Sequence, residues 1–210
     1  MNLDEAMTIC RTAPATYTLD ETNHAELYNF LSKFNFPSGA RIVELGCCAG
    51  RTSLILAYLS KYKNWDFHAV DCFVLNAEHE YRQVMDNSKL PYTLHVNWTS
   101  SITVPTKPTL TEVPWDAPIH FLFIDASHNE PWFSGDCRKW IPFVVPGGIV
   151  AFDDWPGNIE NGALVDNLFV DGTGAHDAIK IYGSQFTTNW IDLGWCGRVR
   201  IKQKPYDDAI

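Results

Sequence analysis

The sequence lacks the features of a secreted, membrane-spanning or nucleic-acid-binding chain. Its first residues, MNLDEAMTICRT, include acidic residues where a signal peptide needs a basic start followed by an apolar run. No stretch approaches the roughly 18 consecutive apolar residues of a transmembrane helix. The chain has 16 Lys and Arg against 25 Asp and Glu, a net charge of -9, and no basic patch that would attract DNA or RNA. We therefore expect a cytoplasmic protein that binds neither nucleic acid nor a membrane.

Cysteine pairs with metal-binding spacing are also missing. The six cysteines show neither CxxC spacing nor the density of a disulfide scaffold, which favours free thiols over zinc ligands. The 210 residues, 46% of them hydrophobic, can bury one sizeable core, and no change of composition marks a second domain. We predict a single domain, 1–210, with an N-terminal helical cap at 1–38 and a core at 39–210.

Apolar runs of strand length alternate with segments of helical length. The predicted strands are RIVELG (41–46), DFHAVD (66–71), YTLHVN (92–97), IHFLFID (119–125) and GIVAFDD (148–154). Helices are expected over 19–34, 53–59 and 132–144. This alternation predicts an α/β, Rossmann-like fold with a mostly parallel seven-stranded sheet and helices on both faces.

Two regions depart from this alternation. Segments 178–183 (AIKIYG) and 196–203 (CGRVRIKQ) are expected to be two further strands, paired antiparallel because so few residues separate them. Residues 98–118 hold four prolines and are expected to form a long irregular connection.

The segment ELGCCAGRTS, residues 44–53, joins the first predicted strand to the first core helix through Gly46 and Gly50. Glycines let the backbone approach a ligand closely, and a helix start offers free N–H groups. Asp71 ends the second strand, 21 residues beyond Gly50, where an α/β nucleotide site places a carboxylate for ribose hydroxyls. A tight turn and a solvated strand end are the structural alternatives. The absence of GxGxxG makes a dinucleotide the weaker choice of ligand.

The stretch IVAFDDW runs from a buried strand into Asp153 and Asp154. Ionised carboxylates are costly to bury without a partner, so the pair indicates a bound cation or a ligand site. Asp125 ends the preceding predicted strand, and neighbouring parallel strands bring such ends together. Carboxylate oxygens suit Mg²⁺. The alternative is that Asp153 caps a helix and Asp154 is solvated.

Four motifs follow one another over roughly residues 40–155: ELGxxxG, HAVD, FLFIDASH and PGGIVAFDDW. Their order resembles that of a class I S-adenosylmethionine-dependent methyltransferase. Within that superfamily the pattern is most similar to the macrocin-type, metal-dependent O-methyltransferases of sugars and other small molecules. The resemblance implies that Glu44 and Gly46 hold the methionine part of the cofactor and that Asp71 takes its ribose. The segment NWTSS lies where the adenine is contacted, but Trp98 and Thr99 replace the usual glycine and acid.

The resemblance also assigns a metal site and a base. Asp125, Asp153 and Asp154 match the ligands of a divalent cation, expected to be Mg²⁺. His128 stands three residues past Asp125, where related catechol-type enzymes place a lysine, and histidine is a plausible general base at neutral pH. His128 and Asp125 are thus the expected catalytic residues. The full predicted cofactor set is Glu44, Gly46, Cys47, Gly50, Thr52, Ser53, Asp71, Cys72, Trp98, Thr99 and Asp125.

The predicted function is metal-assisted methyl transfer from S-adenosylmethionine to a hydroxyl oxygen of a small molecule, a sugar or an aromatic compound. Two alternatives stay open: a metal-dependent hydroxylase of the cephalosporin-hydroxylase-like branch, and a non-catalytic cofactor-binding subunit. Iron would prefer histidine ligands, and the spacing of two histidines and one carboxylate is not evident in the chain. A homodimer stays open as an alternative for the quaternary structure.

Overall fold

A computed structural model of the chain describes residues 1–14, 21–73, 77–96, 115–128, 131–155, 159–160, 163–164 and 175–206. Within these ranges the strands are β1 (Arg41–Leu45), β2 (Asp66–Asp71), β3 (Thr93–Val96), β4 (Ile119–Ile124), β5 (Val144–Phe152), β6 (Ile159–Glu160), β7 (Ala163–Leu164), β8 (Ile191–Cys196) and β9 (Val199–Gln203). The α-helices are α1 (Leu3–Cys10), α2 (Glu21–Ser32), α3 (Arg51–Lys63), α4 (Glu78–Ser88), α5 (Trp132–Trp140) and α6 (Ala175–Phe186). A 3₁₀ helix follows α5 at Ile141–Phe143.

The main sheet has seven strands in the order β3-β2-β1-β4-β5-β9-β8, and β6 and β7 form a separate antiparallel pair. Strands β1 to β5 are parallel, whereas β9 pairs antiparallel with both β5 and β8. The sheet is therefore mixed, with a parallel body and an antiparallel edge. The predicted α/β Rossmann-like fold is confirmed in this form, and the strand predicted at 196–203 contains β9.

Each face of the sheet carries its own apolar cluster. On one face, residues of α1, α2, α3 and α4 pack with alternate residues of the strands, such as Ile42, Phe121 and Ile149. On the other face, α5 and α6 pack with the intervening strand residues, such as Val43 and Leu122. The strand side chains alternate between the faces because successive side chains of a strand point to opposite sides. Among the described residues, no helix is long and apolar enough to cross a membrane.

The strand predicted at AIKIYG is wrong, because this segment lies inside α6. Ile179 and Ile181 gave an alternating pattern, but Ile179 is buried whereas Ile181 is 59% exposed. Burial recurs at Ile179, Gly183 and Thr187, which is the four-residue spacing of one helix face. The partner of β9 is instead β8, at Ile191–Cys196.

The chain reverses its direction of winding between β1 and β4, which are neighbours in the sheet although two strands separate them in sequence. Open α/β sheets bind ligands in the crevice outside the carboxyl ends of the strands at such a switch point. Gly46 follows β1 and Asp125 follows β4, so the fold brings both to this crevice. The same edge of the sheet holds Asp71 at the end of β2 and Asp153 after β5.

Candidate cofactor and active site

The turn after β1 needs glycine at its first position. Gly46 has φ +87°, and a Cβ there would lie 2.7 Å from the Cα of Ala126 and closer still to the carbonyl of Asp125. Its N–H donates to the carbonyl of Val70 at 2.8 Å, and the N–H of Asp125 donates to the carbonyl of Leu45 at 2.8 Å. Backbone hydrogen bonds therefore continue past the ends of these strands and fix the turn against the end of β4.

Asp71 joins this turn to the segment after β2. Its Oδ2 accepts a hydrogen bond from the backbone N–H of Cys48 at 2.8 Å, and its Oδ1 accepts one from the N–H of Phe73 at 2.6 Å. Cys48 and Phe73 both have positive φ, of 44° and 50°, a conformation that costs energy for these residues. The carboxylate of Asp71 thus holds two strained loops in place, and each oxygen keeps a further lone pair for a ligand hydroxyl.

Glu44 is buried beneath the start of α3. The residue lies in β1 and is 1% exposed, and its Oε2 accepts a short hydrogen bond from the hydroxyl of Ser53. Burial raises the pKa of Glu44 to about 8; the Ser53 hydrogen bond opposes this rise, and the negative charge of Asp71 adds to it. Glu44 is consequently protonated at neutral pH in the free protein.

Three further predicted cofactor residues lie at the start of α3 or in the segments directly after β1 and β2. Thr52 lies in the first turn of α3, where its Oγ1 is 3.1 Å from Nε2 of His24 on α2. Cys47 is buried in the turn, and burial raises the pKa of its thiol well above the usual range. Cys72 is partly buried directly after β2. Trp98 and Thr99, the predicted adenine contacts, lie outside the described residues.

Three carboxylates predicted to meet at the edge of the sheet are placed side by side. The N–H of Asp153 donates to the carbonyl of Ile124 at 3.0 Å, so Asp153 stands directly next to Asp125. Asp154 follows with φ 50°, a left-handed conformation that aspartate tolerates better than most residues. Burial, together with the charges of Asp153 and Asp154, raises the pKa of Asp125 well above its ordinary value.

An arginine that the sequence analysis did not identify meets these carboxylates. Arg198 donates from Nη2 to Oδ2 of Asp153 at 2.9 Å and from Nε to Oδ1 of Asp153 at 3.2 Å, and its Nε lies 3.0 Å from Oδ1 of Asp154. The register of β5 with β9, in which Phe152 faces Arg200, brings Arg198 beside the aspartates. Knowledge of this antiparallel register was the signal required to find it.

His128 stands between two of the carboxylates. Its Nδ1 is 3.4 Å from Oδ2 of Asp154, and its Nε2 is 3.6 Å from Oδ1 of Asp125. These separations are ion-pair contacts rather than short hydrogen bonds. The imidazole side chain is 24% exposed, although its Nε2 atom is buried. The structure thus brings His128 to the predicted metal residues, as a general base at this position requires.

The arrangement does not fit a divalent cation. Arg198 already places a positive charge against both oxygens of Asp153 and one oxygen of Asp154, where a divalent cation would have to bind. Within the described residues, no group of three or more His, Cys, Asp or Glu side chains is arranged to hold a metal ion. The described residues thus give no support to the sequence-based expectation of Mg²⁺, which stays a prediction.

Residues 43–155 match the protein family described as "Methyltransferase domain". These residues make up more than half of the chain. The chain belongs to this methyltransferase family. The matched region begins in β1 and ends directly after Asp154, so it contains the glycine turn, Asp71 and the three carboxylates. No curated protein matches the sequence significantly.

Solved structures share the fold of this methyltransferase. The SAH-bound methyltransferase of Podospora anserina is 14% identical, with a TM-score of 0.67 over 98% of this chain and 88% of its own. A candidate caffeoyl-CoA O-methyltransferase from Staphylococcus aureus is 13% identical, with a TM-score of 0.62 over 97% and 92% of the two chains. A candidate rRNA methylase from Clostridium thermocellum is 13% identical, with a TM-score of 0.57 over 89% and 98%. At such identities these likenesses establish the fold alone.

Proposed function

We propose that this methyltransferase uses S-adenosylmethionine and transfers its methyl group to a hydroxyl oxygen of a small molecule. The observation that carries the proposal is the glycine turn, which Asp71 fixes at the switch point of the sheet beside Asp125. The SAH bound by the Podospora anserina protein, a member of the same fold, supports this choice of cofactor. The net charge of -9 favours a small acceptor over RNA, although a candidate rRNA methylase shares the fold.

The reaction requires the protein to align the acceptor oxygen with the methyl group and to remove the hydroxyl proton. The acceptor oxygen attacks the sulfonium methyl group in line, the sulfur-carbon bond breaks, and SAH leaves. We assign removal of the hydroxyl proton to His128, whose ring nitrogens lie 3.4 Å from Oδ2 of Asp154 and 3.6 Å from Oδ1 of Asp125. No step of this reaction runs through a metal ion, since Arg198 engages the carboxylates that would bind one.

Cofactor binding is the first test. Isothermal titration calorimetry should show binding of S-adenosylmethionine and SAH and no heat with NAD. Asp71→Asn should weaken this binding and also lower the free energy of unfolding by about 1 to 3 kcal/mol, because one backbone N–H of Cys48 or Phe73 then faces an amide group instead of a carboxylate oxygen.

The matched control is Asp66→Asn, the same change at the opposite end of β2, where the carboxylate contacts His68 and is remote from the turn. It should leave the affinity for S-adenosylmethionine unchanged. Tight binding of NAD with no heat from S-adenosylmethionine would refute the proposal. Equal affinities of Asp71→Asn and the wild type for S-adenosylmethionine would show that Asp71 has only a structural role.

A further inference from the structure

Arg198 forms a well-defined, partly buried ion-pair site with two aspartates. Asp153 is 1% exposed, and the arginine meets both of its carboxylate oxygens in the forked arrangement that guanidinium groups favour. The same Nε lies 3.0 Å from Asp154. A buried carboxylate needs a charge partner, and here one cation serves two carboxylates.

The backbone fixes Arg198 in this place. The residue follows Gly197, in the turn between β8 and β9, which has φ +61°. The side chain of Asn23 on α2 fills the space where a Cβ on Gly197 would lie, so the turn is packed against the N-terminal helices. The packed β8–β9 hairpin therefore holds Arg198 next to the end of β5.

A guanidinium and a divalent cation compete for the same oxygens. Mg²⁺ requires close, nearly octahedral coordination by oxygen atoms, and a guanidinium held against the same oxygens opposes that approach by its bulk and by its positive charge. The arginine charge is permanent, since the guanidinium keeps its proton in proteins. A metal ion placed between Asp153 and Asp154 would also have to displace this positive charge at short range.

We propose that the guanidinium of Arg198 takes the place of the divalent cation at the carboxylates of Asp125, Asp153 and Asp154, so that this methyltransferase does not bind Mg²⁺ there. The inference rests on the proposed function only for its consequence, which is that methyl transfer proceeds without a metal ion at these carboxylates. In this role Arg198 is a positioning residue: it balances the charges of Asp153 and Asp154, and Asp154 in turn contacts His128.

Electron paramagnetic resonance with Mn²⁺ as the probe tests the proposal without any need for an acceptor. The wild-type protein should leave the spectrum of free Mn²⁺ unchanged at millimolar concentrations, and EDTA should not alter its melting temperature. Arg198→Gln should gain binding of one Mn²⁺ per chain, because removal of the guanidinium frees several carboxylate oxygens. The melting temperature of Arg198→Gln should fall in EDTA and recover when Mg²⁺ is added. Arg198→Lys should resemble the wild type in both measurements.

The matched control is Arg200→Gln. Arg200 lies two residues further along β9, pairs with Asp192 and stacks on Trp195, and should show no gain of Mn²⁺ binding. Stoichiometric Mn²⁺ binding by the wild type, lost in Asp153→Asn, would overturn the proposal even if Arg198→Gln did not fold. A folded Arg198→Gln that fails to bind Mn²⁺ would overturn it as well. Calorimetry with S-adenosylmethionine on the same samples separates this failure from a failure of the proposed function.

Discussion

Glu44→Gln should make the protein more stable, and by an amount that grows with pH. Glu44 is a buried acid with a pKa of about 8, raised from an ordinary value of 4.5 mainly by burial. The folded protein therefore holds a proton at Glu44 that the unfolded chain releases. Glutamine resembles the protonated acid in shape, and its amide oxygen can still accept the hydrogen bond from Ser53.

The size of the effect follows from the pKa difference. Because the pKa of the folded state is the higher one, the folded protein becomes less stable as pH rises from 4.5 towards 8. A difference of one pKa unit corresponds to about 1.4 kcal/mol. Glu44 therefore costs about 1 kcal/mol at pH 5, about 3 kcal/mol at pH 7 and about 5 kcal/mol at pH 9. The glutamine of the variant cannot ionise and avoids this growing cost.

Urea denaturation of the wild type and of Glu44→Gln at pH 5, 7 and 9 measures the difference directly. The gain in unfolding free energy should increase by about 4 kcal/mol between pH 5 and pH 9. Glu26→Gln serves as the control, because Glu26 lies on α2 with its side chain exposed. A constant difference between Glu44→Gln and the wild type at all three pH values would show that Glu44 is ionised in the folded protein and refute the reasoning.

Two further predictions concern backbone and histidine. Gly46→Ala should destabilise the protein far more than Gly39→Ala in thermal unfolding, because both glycines have positive φ but only Gly46 would place a Cβ against Asp125 and Ala126. Gly39→Ala should cost about 1 to 2 kcal/mol. Equal losses of stability would contradict the close contact between Gly46 and the end of β4. The pKa of His95 is lowered to about 4 by burial and by His68, so stability should be lost as pH falls from 6.5 to 4. His95→Gln should reduce this loss in urea denaturation, unlike the exposed control His79→Gln, and an unchanged pH dependence would refute it.

Local patterns were sufficient to predict the parallel body of the sheet. The predicted strand 66–71 coincides with β2, and the other four predicted strands of this body overlap β1, β3, β4 and β5. Each is a short apolar run between turn-forming residues, which a sheet covered on both faces requires. Helix α4 was missed because only Tyr81 and Met85 of its residues are buried, so its sequence reads as mostly polar.

The organisation of the candidate site could be predicted only in part. The spacing from Gly50 to Asp71 predicted a shared site, and the structure joins the two segments by the hydrogen bond from Cys48 to Asp71. That bond also shows why spacing alone could not separate a ligand role from a structural one: the carboxylate already accepts two backbone hydrogen bonds in the free protein. A contact to ribose would be added to this scaffold role.

The charge that balances Asp153 and Asp154 depends on a contact that no local pattern contains. Arg198 lies 45 residues from Asp153, and the two meet only because β9 runs antiparallel to β5. Antiparallel pairing puts the start of β9 at the edge where the parallel strands end, so a basic residue before β9 reaches the same crevice as the acids after β5. Two adjacent aspartates after a buried strand therefore indicate that positive charge is required nearby. Whether that charge is a metal ion or an arginine is decided by the strand that lies beside them.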